Sequence, residues 1–136
     1  MNKLIIRSCL LGSLICSPLL LSSNAAAAPS TAVTELLTEY QQRGAGNFSV
    51  SAGAELWSRN TEGRQCTSCH SDDPTAVGQH QKTLKPIDPL APSVKVKRLT
   101  EVKTINKWLL RNCKWTLDRE CTAQEKSDFL TWLSQQ

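Results

Sequence analysis

The sequence lacks several things at once. Past its first two dozen residues it has no apolar run near the roughly 20 residues that a spanning helix needs, so stable membrane insertion is not expected. It lacks an excess of one charge: taking Lys3 and Arg7 from 16 basic residues leaves 14, against 12 acidic ones. A nucleic-acid binder shows a strong basic surplus, and a difference of two is not one. No segment alternates apolar and polar residues as a half-buried strand does. Methionine occurs once, as Met1, and histidine twice, as His70 and His80. What is left is a chain of 136 residues with room for one small helical domain.

The N-terminus reads as a secretory leader. Lys3 and Arg7 precede an apolar stretch from Leu10 to Leu21, followed by Ser22, Ser23, Asn24 and the alanines 25–28. Cleavage after Ala26 or Ala28 places alanine where a signal peptidase wants small side chains. The division is therefore a leader over 1–28 and a domain over 29–136, delivered to the periplasm. Ile15 is too bulky a neighbour for Cys16 to carry a lipid anchor. Removal of Cys9 and Cys16 with the leader leaves Cys66, Cys69, Cys113 and Cys121 to meet an oxidising compartment.

Helical periodicity marks four segments. Val33, Leu36, Leu37 and Tyr40 fall on one face over residues 31–42, which Gly44 and Gly46 terminate. A second helix spans about 51–60, with Ser51 as N-cap and Gly53 four positions before Trp57. From Thr100, read as an N-cap, Val102, Ile105, Trp108 and Leu109 recur up to Arg111. The last helix opens with Thr122-Ala123-Gln124-Glu125, which has the form of a capping box, and carries Phe129, Leu130, Trp132 and Leu133. Residues 71–98, with Pro74, Gly78, Pro86, Pro89 and Pro92, read as loop. So long a loop counts against a compact all-α fold unless it wraps a large apolar group.

Such a group is implied by Cys66-Thr67-Ser68-Cys69-His70. C-x-x-C-H is the attachment pattern for c-type haem: two thiols three positions apart add to the two vinyl groups of one macrocycle, and the next histidine is held beneath the iron as proximal ligand. A thioredoxin-type dithiol would need a sheet. A zinc site recruiting Cys113 and Cys121 would need a second pair closer than the seven residues that separate these two. In an oxidising compartment Cys113 and Cys121 are expected to form a local disulfide, worth roughly 2–3 kcal/mol as a staple, with a redox-active bridge as the sharper alternative.

The usual distal ligand, methionine, departs with the leader. The second face of the iron is then empty, or filled by His80, a lysine or a weaker oxygen donor. His80 lies within reach of an extended loop, and equally reads as a solvated loop residue. Lys82, Lys85, Lys95, Lys97, Arg98, Lys103 and Lys107 face only Asp88 and Glu101 in the same segment. That local surplus suits docking to an acidic redox partner or is a solvated surface.

The haem motif, the loop IDPLAPSV at 87–94 and the stretch RNCKWTLDRECTAQEK at 111–126 together resemble the sphaeroides haem protein (SHP) family of cytochromes c, over about residues 33–133. The resemblance implies an all-α, class I cytochrome c-like fold around one covalent haem c. It also implies that Asn112, at a helix end directly before Cys113, is a labile distal ligand, and that Cys113 and Cys121 are the family's bridge. Without it, Asn112 reads as a helix C-cap. Electron donors of the family are a di-haem cytochrome c and a membrane b-type cytochrome. The expected function is to accept electrons and bind O2, NO or CO at the ferrous haem. The competing expectations are a plain electron carrier with a permanent sixth ligand and a small enzyme reducing oxygen, peroxide or nitric oxide.

Overall fold

A computed structural model of the chain describes residues 28–136. Apart from Ala28, the leader and its cysteines lie outside the described residues. Five helices run in order: α1 (Thr31–Gln42), α2 (Val50–Ser58), α3 (Thr67–His70), α4 (Val102–Leu117) and α5 (Ala123–Leu133). Between α3 and α4 the chain makes one two-stranded antiparallel ladder, β1 (Gly78–Gln79) with β2 (Pro86–Ile87), Gly78 opposite Ile87. Among the described residues no helix is long and apolar enough to cross a membrane.

Each helix start has a local cause. Ser30 caps α1 by accepting from the Val33 amide, and its hydroxyl also donates to the Leu99 carbonyl. Ser49, not Ser51, caps α2, accepting from Ala52 at 3.1 Å. Ser49 is itself fixed from α5, because its amide donates to Asp128 Oδ1 at 2.7 Å. The reading of Ser51 was two residues late for that reason: the competing partner is far away in sequence. Helix α5 has the full capping box, Thr122 accepting from Glu125 and Glu125 from Thr122.

Helix α4 differs most from expectation. Its N-cap is Glu101 rather than Thr100, whose hydroxyl instead donates to the Lys97 carbonyl. It runs past Arg111 to Leu117 and stops at Asp118, which adopts the left-handed conformation at φ 58°. Asn112 therefore sits inside the helix, and Asp118 is the C-cap.

Val33, Leu36 and Tyr40 of α1, all fully buried, pack with Ile105 and Leu109 of α4 and Leu130 of α5. Each such side chain contributes roughly 1.5–3 kcal/mol when buried. Trp57 of α2 packs with Trp132 and Leu133 of α5 in a second cluster. Leu56 meets Cys113 and Cys121 in a third. Phe129 touches all three and joins them.

The loop between α3 and α4 is pinned rather than free. The Pro74 carbonyl accepts from both Leu90 and Ala91, and the Ser93 amide donates to the Gln136 carbonyl. Arg98 turns inward to donate to the carbonyls of Pro89 at 2.8 Å and Asp88 at 3.0 Å.

Candidate functional site

The cysteine motif forms a single helical turn. Cys66 stands at the N-cap of α3, and its carbonyl accepts from Cys69 at 3.2 Å and His70 at 3.1 Å. Both thiols lie on this turn, half-buried and free of each other. Burial pushes the Cys66 thiol up to about 11, with the neighbouring Cys69 adding to the shift. A protonated thiol is a poor redox dithiol, which needs a depressed value. Cys113 and Cys121 are bonded to each other, Cα atoms 5.5 Å apart, so they are not available to close a zinc site with Cys66 and Cys69.

His70 is held from two elements, α2 and β1. The Trp57 ring lies 5.7 Å from the imidazole, centroid to centroid, and is backed in turn by Trp132 at 5.4 Å and Phe129 at 6.2 Å. Trp57 Nε1 donates to the Asp72 carbonyl at 3.1 Å, which fixes the backbone just past the motif. Gly78 of β1 presses on the motif itself: a Cβ there would come 2.1 Å from the Cys69 carbonyl oxygen and 2.8 Å from His70 Cα. Directly after His70, Ser71 takes φ 69°, ψ 164°, a region that is nearly glycine's alone and costs of order 1–3 kcal/mol. The chain accepts that strain to leave the motif at a sharp angle. Burial, and secondarily the Arg98 charge, lower the imidazole's proton affinity. The neutral ring is the form that ligates metals.

Asn112 is half-buried, and its carboxamide makes no hydrogen bond among the described residues; its backbone carbonyl accepts from Thr116 Oγ1 at 2.8 Å. Trp108 and Trp115 stand four positions before it and three after, on the same side of α4. They are 46% and 39% exposed. Of the apolar residues that recur along α4, Ile105 and Leu109 are buried and Trp108 is left outside. A stripe of two partly exposed indoles around an unpaired carboxamide is apolar surface that this chain covers only in part, with Lys107 and Arg111 over the Trp108 ring at 5.6 and 5.1 Å. It suits a flat apolar macrocycle, as do the thiols and imidazole of the motif. The motif also buries one hydroxyl, Thr67 Oγ1, with no partner. The residues present thus fit a c-type haem.

His80 is exposed, and its Nδ1 accepts from the amides of Lys82 at 3.3 Å and Thr83 at 3.2 Å. Of the seven cations between residues 82 and 107, Lys95 pairs with Asp88 at 2.7 Å and Arg98 is spent on backbone carbonyls. Sequence reasoning missed two contributors. Gly78 carried no sign beyond being glycine in a loop. The Trp108 and Trp115 stripe was visible as seven-residue spacing, but only a helix continuing past Arg111 puts both on one element.

Comparison with known proteins gives a consistent picture. A family model described as a domain of unknown function, DUF1924, matches residues 43–133. Cytochrome c-type protein SHP of Cereibacter sphaeroides is 38% identical over 116 residues, which span 82% of this chain and 89% of the relative. The solved structure of oxidised SHP, described as an oxygen-binding cytochrome c, matches with a TM-score of 0.72 at 36% identity, covering 80% of this chain and 100% of that one. Oxidised cytochrome c'' of Methylophilus methylotrophus matches with a TM-score of 0.65 at 28% identity, covering 76% and 93%.

Proposed function

The chain belongs to the DUF1924 family and is a c-type cytochrome of the SHP type, and from that premise we propose that it is an exported mono-haem cytochrome which takes up electrons and, once reduced, binds a diatomic gas. Its fold is the class I cytochrome c-like fold, and its cofactor is one haem c. It acts as an electron-transfer and gas-binding protein rather than an enzyme. When bound, the haem supplies one-electron redox chemistry and an iron site for O2, NO or CO.

The chain's own residues divide the work. Cys66 and Cys69 would hold the macrocycle through thioethers, and His70 would be the proximal ligand, positioned by Trp57 and Gly78. Asn112 would close the distal side through its carboxamide oxygen. A neutral oxygen is a hard, weak donor, suited to ferric iron and poorly suited to ferrous. Asn112 would therefore hold ferric iron better than ferrous iron. The observation that carries this reading is the carboxamide with no hydrogen bond among the described residues, between two exposed indoles on α4. His80, the alternative distal ligand, has its Nδ1 committed to its own turn. The leader supports a periplasmic location, and resemblance supports a di-haem cytochrome c, with a membrane b-type cytochrome behind it, as electron donors.

Visible spectra of the holoprotein test the reading. Reduced under argon, it should be high-spin and shift to a low-spin form on adding carbon monoxide. Asn112→Val should change the ferric spectrum to that of an open site. An unchanged ferric spectrum in that variant refutes the role of Asn112, and a reduced spectrum indifferent to carbon monoxide refutes gas binding.

A further inference from the structure

A cation withdrawn from water needs a partner, because the interior does not solvate its charge. Arg64, Arg98 and Lys126 are the half-buried cations among the described residues. Arg64 lies 3.8 Å from Glu62, and Lys126 lies 5.8 Å from the centre of the Tyr40 ring. Arg98 has neither a carboxylate nor a ring among the described residues. Its Nε and Nη2 donate to the carbonyls of Pro89 and Asp88, and its Nη1 makes no bond there. Carbonyls satisfy hydrogen bonds but do not neutralise a charge. Asp88, whose carbonyl the guanidinium touches, turns its carboxylate to Lys95 at 2.7 Å instead.

The backbone enforces this position. The Arg98 amide closes a turn on the Lys95 carbonyl at 2.8 Å. Leu99 then takes the left-handed region at φ 57°, where a leucine is disfavoured, and its carbonyl accepts from the Ser30 hydroxyl. Leu99 packs in the same cluster as Trp57 and Cys66, and so does Leu90, the residue after Pro89. The guanidinium thus clasps two stretches of chain that both lie against the haem motif. Its charge is felt at the His70 imidazole. The charged and titratable groups near it are Asp88, Lys95 and Lys97 on its own loop and His70 on α3.

A haem brings the anion that the chain withholds, since its propionate side chains are carboxylates. We propose that Arg98 is the counter-charge for a haem propionate, a positioning residue that ties the cofactor to the 88–98 loop and, by keeping a positive charge beside it, favours the ferrous, gas-accepting state. The proposal rests on the reading of Cys66–His70 as the haem-bearing turn. Reduction adds one electron to ferric iron. With Arg98 in place the propionate stays ionised throughout; without it, the propionate takes a proton from water as the electron enters.

The test is the midpoint reduction potential of the holoprotein, titrated with dithionite against redox dyes from pH 5 to 8. The wild type should give a nearly flat profile. In Arg98→Gln the ferric-to-ferrous ratio at a fixed potential should rise several-fold at pH 7, and the midpoint should fall as pH rises. Arg98→Lys keeps the charge but not the fork, so it should keep the potential while losing stability. Lys97→Gln, at the exposed neighbour, should change the ratio by less than about twofold. An Arg98→Gln protein that is less stable but has the wild-type potential and profile would make Arg98 a loop clamp only and overturn the proposal. So would a Lys97→Gln shift as large as that of Arg98→Gln. The propionate bending band in resonance Raman spectra is the second readout. It should shift between wild type and Arg98→Lys, and an unmoved band overturns the proposal even where Arg98→Gln fails to retain haem. Absence of a carbon monoxide adduct in the reduced wild type would sink the gas-binding reading alone, and absence of covalent haem would overturn both.

Discussion

Gly53 of α2 meets the backbone of Asp128 of α5: a Cβ at position 53 would lie 2.2 Å from the Asp128 carbonyl oxygen and 2.6 Å from Trp132 Cβ. The two helices cross at that point, and the crossing places Trp57, one turn on, against Trp132 and behind His70. Gly53→Ala cannot be absorbed by a rotamer change, because the obstacle is backbone. The helices must separate, at a cost of roughly 1–3 kcal/mol or more. Denaturant unfolding of the holoprotein should show the loss; a variant as stable as the wild type would mean that the helices do not cross so closely.

Gly78→Ala meets an equally hard obstacle in a different place. Its Cβ would press on Cys69 and His70, so either β1 or the motif has to move. Here the visible spectrum should change along with stability, whereas Gly53→Ala, which reaches His70 only indirectly through Trp57, should lose stability with a smaller spectral change. Comparing the two variants by absorption and by unfolding separates support of the proximal side from support of the helical frame. A spectrum for Gly78→Ala identical to that of the wild type would remove Gly78 from the proximal support.

Glu125 predicts an acid sensitivity. Arg119 donates to both of its oxygens at 2.7 Å, Arg59 adds a third contact at 3.0 Å, and the Thr122 amide a fourth at 2.9 Å. These donors hold the carboxyl at about 2, from 4.5, Arg119 being the largest cause. The native state thus binds this proton later than the unfolded chain does, and the contribution is complete above pH 4.5 and lost as pH falls through 2. Glu125→Gln should be less stable than the wild type at neutral pH, with the difference shrinking across that window. Thr122→Ala should cost about 1 kcal/mol through the lost cap. A difference between Glu125→Gln and the wild type that stays constant from pH 5 to 2 would contradict the assignment.

The same cluster shows what a sequence can and cannot disclose. The capping box was legible because both partners lie within four residues. Arg59 was not, because it arrives from α2, 66 positions away. Cys66–His70 was legible for the same reason as the box: its chemistry is local. The end of α4 was misjudged because a cysteine pair looks like a loop, although the first of the two sits within the helix. Periodicity shows Trp108 as one of the apolar residues of α4 without naming what covers it, and its exposure fits a partner that is not protein. Asn112 was reached only through resemblance, since an asparagine in the interior of a helix has no local signature of ligation.

The disulfide supplies the last prediction, because it anchors the helix that presents Asn112. Cys113 follows Asn112 directly, and both cysteines are buried against Leu56 with Phe129 alongside. The bridge closes a short loop, so its removal should lower stability by roughly 2–3 kcal/mol. The effect should not stop at stability. With the bridge cut in Cys113→Ser/Cys121→Ser, the last turns of α4, including Thr116 and its bond to the Asn112 carbonyl, lose their tie to α5. Asn112 should then hold its position less well, and the ferric spectrum should show a larger open-site fraction than in the wild type. If the bridge is only a staple, unfolding measurements will report the full loss and the ferric spectrum will not move. A spectral change that appears in the Asn112 protein but is not added when the bridge is cut in the already open Asn112→Val variant, by contrast, would tie the bridge to the distal ligand, because in that variant no carboxamide remains for the bridge to position.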